Sequence, residues 1–155
     1  MTTARAEPAA TPSASLYTAS LEQAHRDYTE RFGLPTRLRP AGVELRLGGR
    51  VGAVAMRTDL AREATRVLWT SSPLSRVLSY GGAPGLRVVV VEDDTAAELP
   101  HGVVRLRRPS LPLPPTRLAD GPVRWVAHPT EDTRRLLPLS RLLLAVITTH
   151  HAINW

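Results

Sequence analysis

Three acids in a row, Glu92-Asp93-Asp94, follow directly on four valines in the stretch "GLRVVVVEDD". Carboxylates grouped at a strand end are the hard oxygen donors that a divalent ion takes, and such an ion would serve phosphoryl chemistry. Adjacent strand residues point to opposite faces, so Glu92 and Asp94 share one side and Asp93 takes the other. The arrangement therefore predicts an acidic, solvated turn that ends a strand rather than a metal cage. The other reactive residue types are scattered. His25, His101 and His128 have no ligand spacing, and neighbours such as His150 and His151 diverge by about 100° on a helix. Ser72, Ser79, Ser110 and Ser140 lack a nucleophile-elbow context. The glycines of "YGGAPG" precede a strand rather than a helix, which makes a hairpin turn and not a phosphate cradle. From these residues we expect no catalytic group, no metal site and no cofactor.

Arginine is the residue that recurs. All 20 basic residues are arginine, against 14 acids, for a net charge of +6. Lysine is absent, so no Schiff-base or phosphate-loop lysine exists. Preference for arginine alongside Ala, Pro and Gly fits a GC-rich genome, and forked guanidinium donors also suit phosphates. Arg105, Arg107 and Arg108, with Arg117 and Arg124, would form a basic strip for nucleic acid if their strands are neighbours. With aromatics at 5%, few rings are on hand to stack on bases.

The elements that must position these groups follow from periodicity. Residues 1–14, mostly Ala, Thr, Pro and Ser, predict a disordered tail. One domain should span 15–149, and 150–155 should be a second tail in which Ile153 and Trp155 are candidate anchors. Leu21, Ala24, Tyr28 and Phe32 follow helical spacing from Leu16 to Phe32, with Gly33 as the stop. Val43, Leu45 and Leu47 alternate with Glu44 and Arg46. Gly48-Gly49 then predicts a hairpin returning through Val51 to Met56. Thr58 or Asp59 caps a helix that lines up Leu60, Ala64, Val67 and Leu68 and ends near Trp69. "SPLSRVLSY" and "LRVVVVEDD" predict a second hairpin, with Val89 and Val91 on one face and Val88 and Val90 on the other. "HGVVRLRRPS" alternates Val104 and Leu106 with Arg105 and Arg107. "LPLPP" should interrupt pairing, since proline donates nothing to a ladder. Val123 to Ala127 is a last strand. Leu139 to Thr149 is an apolar helix whose consecutive residues Leu142 to Ile147 call for burial on several sides or a protein partner. Strands and helices do not alternate strictly, so the fold class is α+β, a mostly antiparallel sheet with helices packed on it.

The valine-to-acid stretch is similar to the first strand of a response-regulator receiver, but the rest of such a domain is missing. Its phosphoacceptor aspartate would fall about 45 residues on, after a third strand, where this chain has Pro138. Its lysine has no counterpart, and the chain ends too soon for the remaining strands and helices.

A broader resemblance covers about Ala24 to Leu144. "AHRDYTERFGLPTRLRP", "RVGAVAMRTDLAREATRVL", "SYGGAPGLRVVVVED", "LPLPPTRLADGPVRWVAHP" and "LLPLSRLLLAV" stand in the order and spacing of the Prim-Pol domain. That domain is the N-terminal module of bifunctional DNA primase/polymerases in the archaeo-eukaryotic primase superfamily. The resemblance implies an α+β scaffold and nucleotidyl transfer on paired carboxylates. This chain departs from it at the catalytic positions. The matching strand reads Ala53-Val54-Ala55-Met56, with no acid. Leu86 and Leu118 stand where the family places histidines. Asp59, at a helix start, is accounted for by capping.

The reading is a non-enzymatic binding or regulatory protein on a degenerate primase-polymerase-like scaffold. Its partners would be a protein, through the apolar C-terminal helix, or nucleic acid, through the arginines. A nucleotide-handling enzyme with displaced acids at Asp59 or Asp93 is the remaining alternative. No apolar run reaches the ~18 residues of a membrane span. The opening "MTTARAEPAATPSASLY" lacks the apolar stretch of a secretory signal. A bacterial cytoplasmic protein is the expectation.

Overall fold

The computed structural model describes residues 12–68, 76–129 and 135–153. In chain order these form α1 (Pro12–Arg26) with a π-helical turn at Asp27–Arg31, β1 (Thr36–Arg39), β2 (Gly42–Arg46), β3 (Val51–Arg57) and α2 (Thr58–Leu68). Then come β4 (Val77–Tyr80), β5 (Ala83–Glu92), β6 (Val103–Arg105), β7 (Ser110–Leu113), β8 (Arg117–Leu118), β9 (Gly121–Ala127), β10 (Leu137–Pro138) and α3 (Leu139–Ile153). The class is α+β, with strand pairing antiparallel except where β10 runs parallel to β5. The expected N-terminal tail lies mostly outside the described residues, and 12–14 are already helical. The expected C-terminal tail is helical through Ile153.

The larger sheet has the order β6-β3-β5-β4-β9-β8, and β5 lies inside it. Both faces of β5 are covered, which is why its sequence is a run of β-branched residues rather than an alternation. Val89 and Val91 join one core with Val54, Met56, Ala61, Ala64, Leu139, Leu142 and Val146, contributed by β3, α2 and α3. Val88 and Val90 join the other with Leu21, Tyr28, Val43, Leu45, Leu111, Leu113 and Val123. Each fully buried valine contributes about 1.5–3 kcal/mol. The expected assignment of the four valines to two faces is what the fold uses.

A second, smaller sheet has the order β1-β2-β7 and closes that second core together with α1. Here two expectations are corrected. Gly48 and Val51 exchange backbone hydrogen bonds of 2.9 and 3.1 Å around a tight turn with Gly49 at φ 59°. The strands it joins do not pair further. β2 goes to β1 and β7, while β3 goes to β5 and β6. The turn is local, but partner choice is decided by which core each strand fills. The "LPLPP" stretch, expected to interrupt pairing, instead supplies β7, where Pro112 stands opposite Glu44. The Tyr80 hydroxyl donates to the Pro112 carbonyl at 2.9 Å. A residue's N–H and C=O point to the same side of a strand, so the missing donor faces away from β2 and no ladder bond is lost.

Two helix faces also shift. In α2 the buried residues are Ala61, Ala64 and Leu68, while Val67 is exposed and Leu60 only partly covered. In β6 the core residue is Val103, and Val104 is 60% exposed at the sheet edge. On α3, Leu142, Leu143, Ala145 and Val146 are buried, whereas Leu144 is 65% and Ile147 41% exposed.

The C-terminal end of α1 is pinned by a relay. Trp125 Nε1 donates to the Tyr28 hydroxyl at 3.0 Å, and that hydroxyl donates to the Pro114 carbonyl at 2.5 Å. Burial pushes the Tyr28 hydroxyl up to about 12, so it stays a donor throughout the physiological range. Leu34 N–H donates to the Tyr28 carbonyl at 2.8 Å, closing the helix across Gly33, whose φ is 64°.

Among the described residues one charged side chain is part of the interior. Arg76 is 1% exposed and donates from Nη1 to the Arg135 carbonyl at 3.1 Å, while its own carbonyl accepts from Val90 N–H at 3.1 Å. Its φ is 61°, a left-handed conformation that costs a side-chain-bearing residue about 1–2 kcal/mol. Arg76→Ala should cost about 2–4 kcal/mol by urea unfolding, through the lost volume and hydrogen bond. Arg76→Gly should cost about 0.5–1 kcal/mol less, because glycine relieves the φ at some entropic expense. An alanine variant as stable as the glycine one would contradict this assignment.

Candidate functional site

The acids at the end of β5 are engaged in holding the fold. Asp93 pairs with Arg105 of β6, and Arg105 also donates from Nη2 to the Thr95 carbonyl at 3.2 Å. Gly52 of β3 makes room for this pair: a Cβ there would lie 3.2 Å from the Asp93 Cβ. Asp94 reaches α3, 46 residues away. Its Oδ1 accepts from Ser140 N–H at 2.9 Å and its Oδ2 from the Ser140 hydroxyl at 2.5 Å. Asp94 thus caps a helix whose own first turn holds no acid, and its charge complements the dipole there. The Ser140 hydrogen bonds hold the Asp94 carboxyl below its ordinary 3.8. The acids do end the strand at the surface, with Asp94 exposed, and two of the three also hold structural partners that the sequence does not show. Glu92 faces a separate cleft with Arg50 and Arg135.

The five arginines named from sequence are not brought together. β6 and the β8–β9 pair lie at opposite ends of the sheet, with β3, β5 and β4 between. Arg105 is held by Asp93, and Arg107 lines the same shallow cleft. Arg108 is exposed on the way to β7. Arg117 lies over the Tyr17 ring at 4.9 Å, while Arg124 is exposed on β9. A continuous strip across adjacent strands is absent among the described residues.

A different basic surface forms on the smaller sheet. Register places Arg37 opposite Glu44 and Arg39 opposite Gly42, and Glu44 and Arg46 alternate with the buried Val43 and Leu45. Arg37, Arg39, Glu44 and Arg46 therefore share the face turned away from the core. The three arginines are exposed. Arg39 gives Nε to Glu44 at 2.8 Å. The signal was present in "TRLRP…GVELR" as arginines alternating with apolar residues on two successive strands. It becomes a surface only once the two strands are known to pair.

A cleft of about 630 Å³ opens between α2, the turn before β6 and the end of α3. Asp59, Glu63, His101 and His150 line it, so two histidines without ligand spacing in sequence do meet in space. Several of their polar atoms already have partners. His150 Nε2 donates to the His101 carbonyl at 3.1 Å. Asp59 accepts from Leu60 N–H at 3.0 Å and pairs with Arg57 at 3.5 Å, as a first-turn helix acid does. Among the described residues no three His, Asp or Glu side chains converge as metal ligands. Leu86 and Leu118 are exposed, and Ala53, Val54 and Met56 of β3 are buried in the two cores.

Compared with known proteins, the chain matches no family model, no curated protein and no solved structure. Among the described residues no helix is long and apolar enough to cross a membrane.

The Asp94 cap carries a pH signature. A depressed folded-state carboxyl contributes stability that is full above its unfolded value and is lost as pH falls through the folded one. Asp94→Ala should therefore cost about 1 kcal/mol at pH 7, and the gap to wild type should narrow below about pH 4. Thermal unfolding of both proteins between pH 7 and pH 3 checks this, and a gap that stays constant would contradict the cap.

Proposed function

We propose that the protein is a non-enzymatic binding or regulatory protein on a degenerate primase-polymerase-like scaffold, acting in a bacterial cytoplasm. One observation carries the reading: the carboxylates best placed for metal chemistry are occupied by the fold. Asp93 is held by Arg105 and Asp94 by Ser140, while the strand that would bear catalytic acids in the resembled family has only Ala, Val and Met turned into the cores. Asp59, the other displaced acid, is a first-turn residue paired with Arg57.

A nucleic-acid-binding version of this reading is favoured by a second observation. Arg37 and Arg46 are exposed arginines whose guanidinium groups have no hydrogen-bond or ion-pair partner among the described residues. A protein partner would use the exposed apolar residues Leu144 and Ile147 of α3.

Purified protein should show no primer extension and no nucleotide hydrolysis above buffer with Mg²⁺ or Mn²⁺. Turnover that is abolished by Asp93→Asn or Asp59→Ala would replace this reading with the enzyme of displaced acids.

A further inference from the structure

We propose that the outer face of the β1-β2-β7 sheet is a docking surface for the phosphate backbone of duplex DNA. The inference rests on the binding-protein reading above and names its partner. Three arginines stand on this face against one acid, Glu44, which is satisfied by Arg39 through Nε alone. That contact leaves the terminal guanidinium nitrogens of Arg39 for a second acceptor. Arg37 and Arg46 are exposed and unpaired among the described residues.

Register makes a lattice of these charges. Arg37 and Arg39 are two residues apart on β1, about 7 Å, and adjacent strands lie about 4.8 Å apart. Arg46 N–H donates to the Pro35 carbonyl at 2.8 Å, so Arg46 sits one step further along the same diagonal. The hydroxyl-bearing Ser110 of β7 is opposite Arg46 and adds a neutral donor. The result is a row of three guanidinium groups on one face of a rigid sheet, anchored from behind by the buried Val43, Leu45, Leu111 and Leu113. Such a row matches a repeating phosphate chain better than a single small anion, which needs convergence rather than extension.

Two features select the duplex. The strands that form the face carry no aromatic residue, so it lacks the stacking platforms of single-strand binders. It also lacks an element that would enter a groove and read base edges, so contact is confined to the backbone. Duplex DNA, with its denser phosphate charge, is the partner that such a surface fits.

Fluorescence anisotropy with a labelled 24-base-pair duplex of mixed sequence tests the assignment. Three phosphate contacts predict a Kd that weakens about 40-fold between 50 and 200 mM salt, independent of sequence. Arg37→Ala with Arg46→Ala should lower the log–log salt slope by about 2. Arg107→Ala with Arg124→Ala should leave affinity and slope unchanged. Circular dichroism should show both double variants folded, since all four side chains are exposed, and Arg37→Gln with Arg46→Gln supplies a second pair with more of the stem retained. No binding at 50 mM salt, tighter binding of the matching single strand or of polyglutamate, or an unchanged slope in the Arg37 and Arg46 variants would overturn it. Nucleotide turnover in the same preparations would instead defeat the non-enzymatic reading, and so separates the two failures.

Discussion

The two-sided burial of β5 governs the rest of the molecule. A strand whose Val88 and Val90 fill one core while Val89 and Val91 fill another must leave the interior abruptly, and its polar end must be satisfied where the layers meet. The acids at that end do this. Asp93 ties β5 to the edge strand β6 through Arg105, and Asp94 ties it to the start of α3 through Ser140. Leu137 and Pro138 extend the same junction by pairing β10 alongside Val91 and Glu92. One short stretch of chain thus fixes the layer order: α2 and α3, large sheet, then the small sheet with α1.

This use of the acids has a functional consequence. A metal centre needs carboxylates whose lone pairs are open to an ion and whose geometry is set by other groups. Here each carboxylate oxygen of Asp94 already accepts one hydrogen bond, from a backbone N–H and a hydroxyl, and Asp93 faces a guanidinium. On the proposed primase-polymerase-like reading, a sheet covered on both faces would survive the replacement of acids by aliphatic residues, and surface arginines would be what such a scaffold offers for interaction.

Much of the architecture was legible in the residues. The helix that ends at Gly33, the Gly81-Gly82 hairpin between β4 and β5, the opposed valines and the helix starting at Leu139 all follow from local periodicity and turn chemistry. Long-range choices were not. Gly48-Gly49 correctly marks a tight turn, yet no local pattern shows that β2 and β3 then part to different sheets. Pro112 reads as a ladder breaker until Tyr80 reveals which way its carbonyl points. The bond between Asp94 and Ser140 spans 46 residues, and a cap supplied at that distance leaves no spacing signature. The arginines followed the same rule. Arg105 and Arg124 are close enough in sequence to suggest one strip, but sheet order separates them, while Arg37 and Arg46 share a face because β1 and β2 pair.

The central claim is that the acidic end of β5 is structural. Calorimetric titration of the protein with Mn²⁺ at neutral pH tests it most directly. We predict no saturable heat of binding at millimolar metal, in wild type and in Asp93→Asn alike. Stoichiometric Mn²⁺ binding that disappears in Asp93→Asn would contradict the account and make the strand end a metal site.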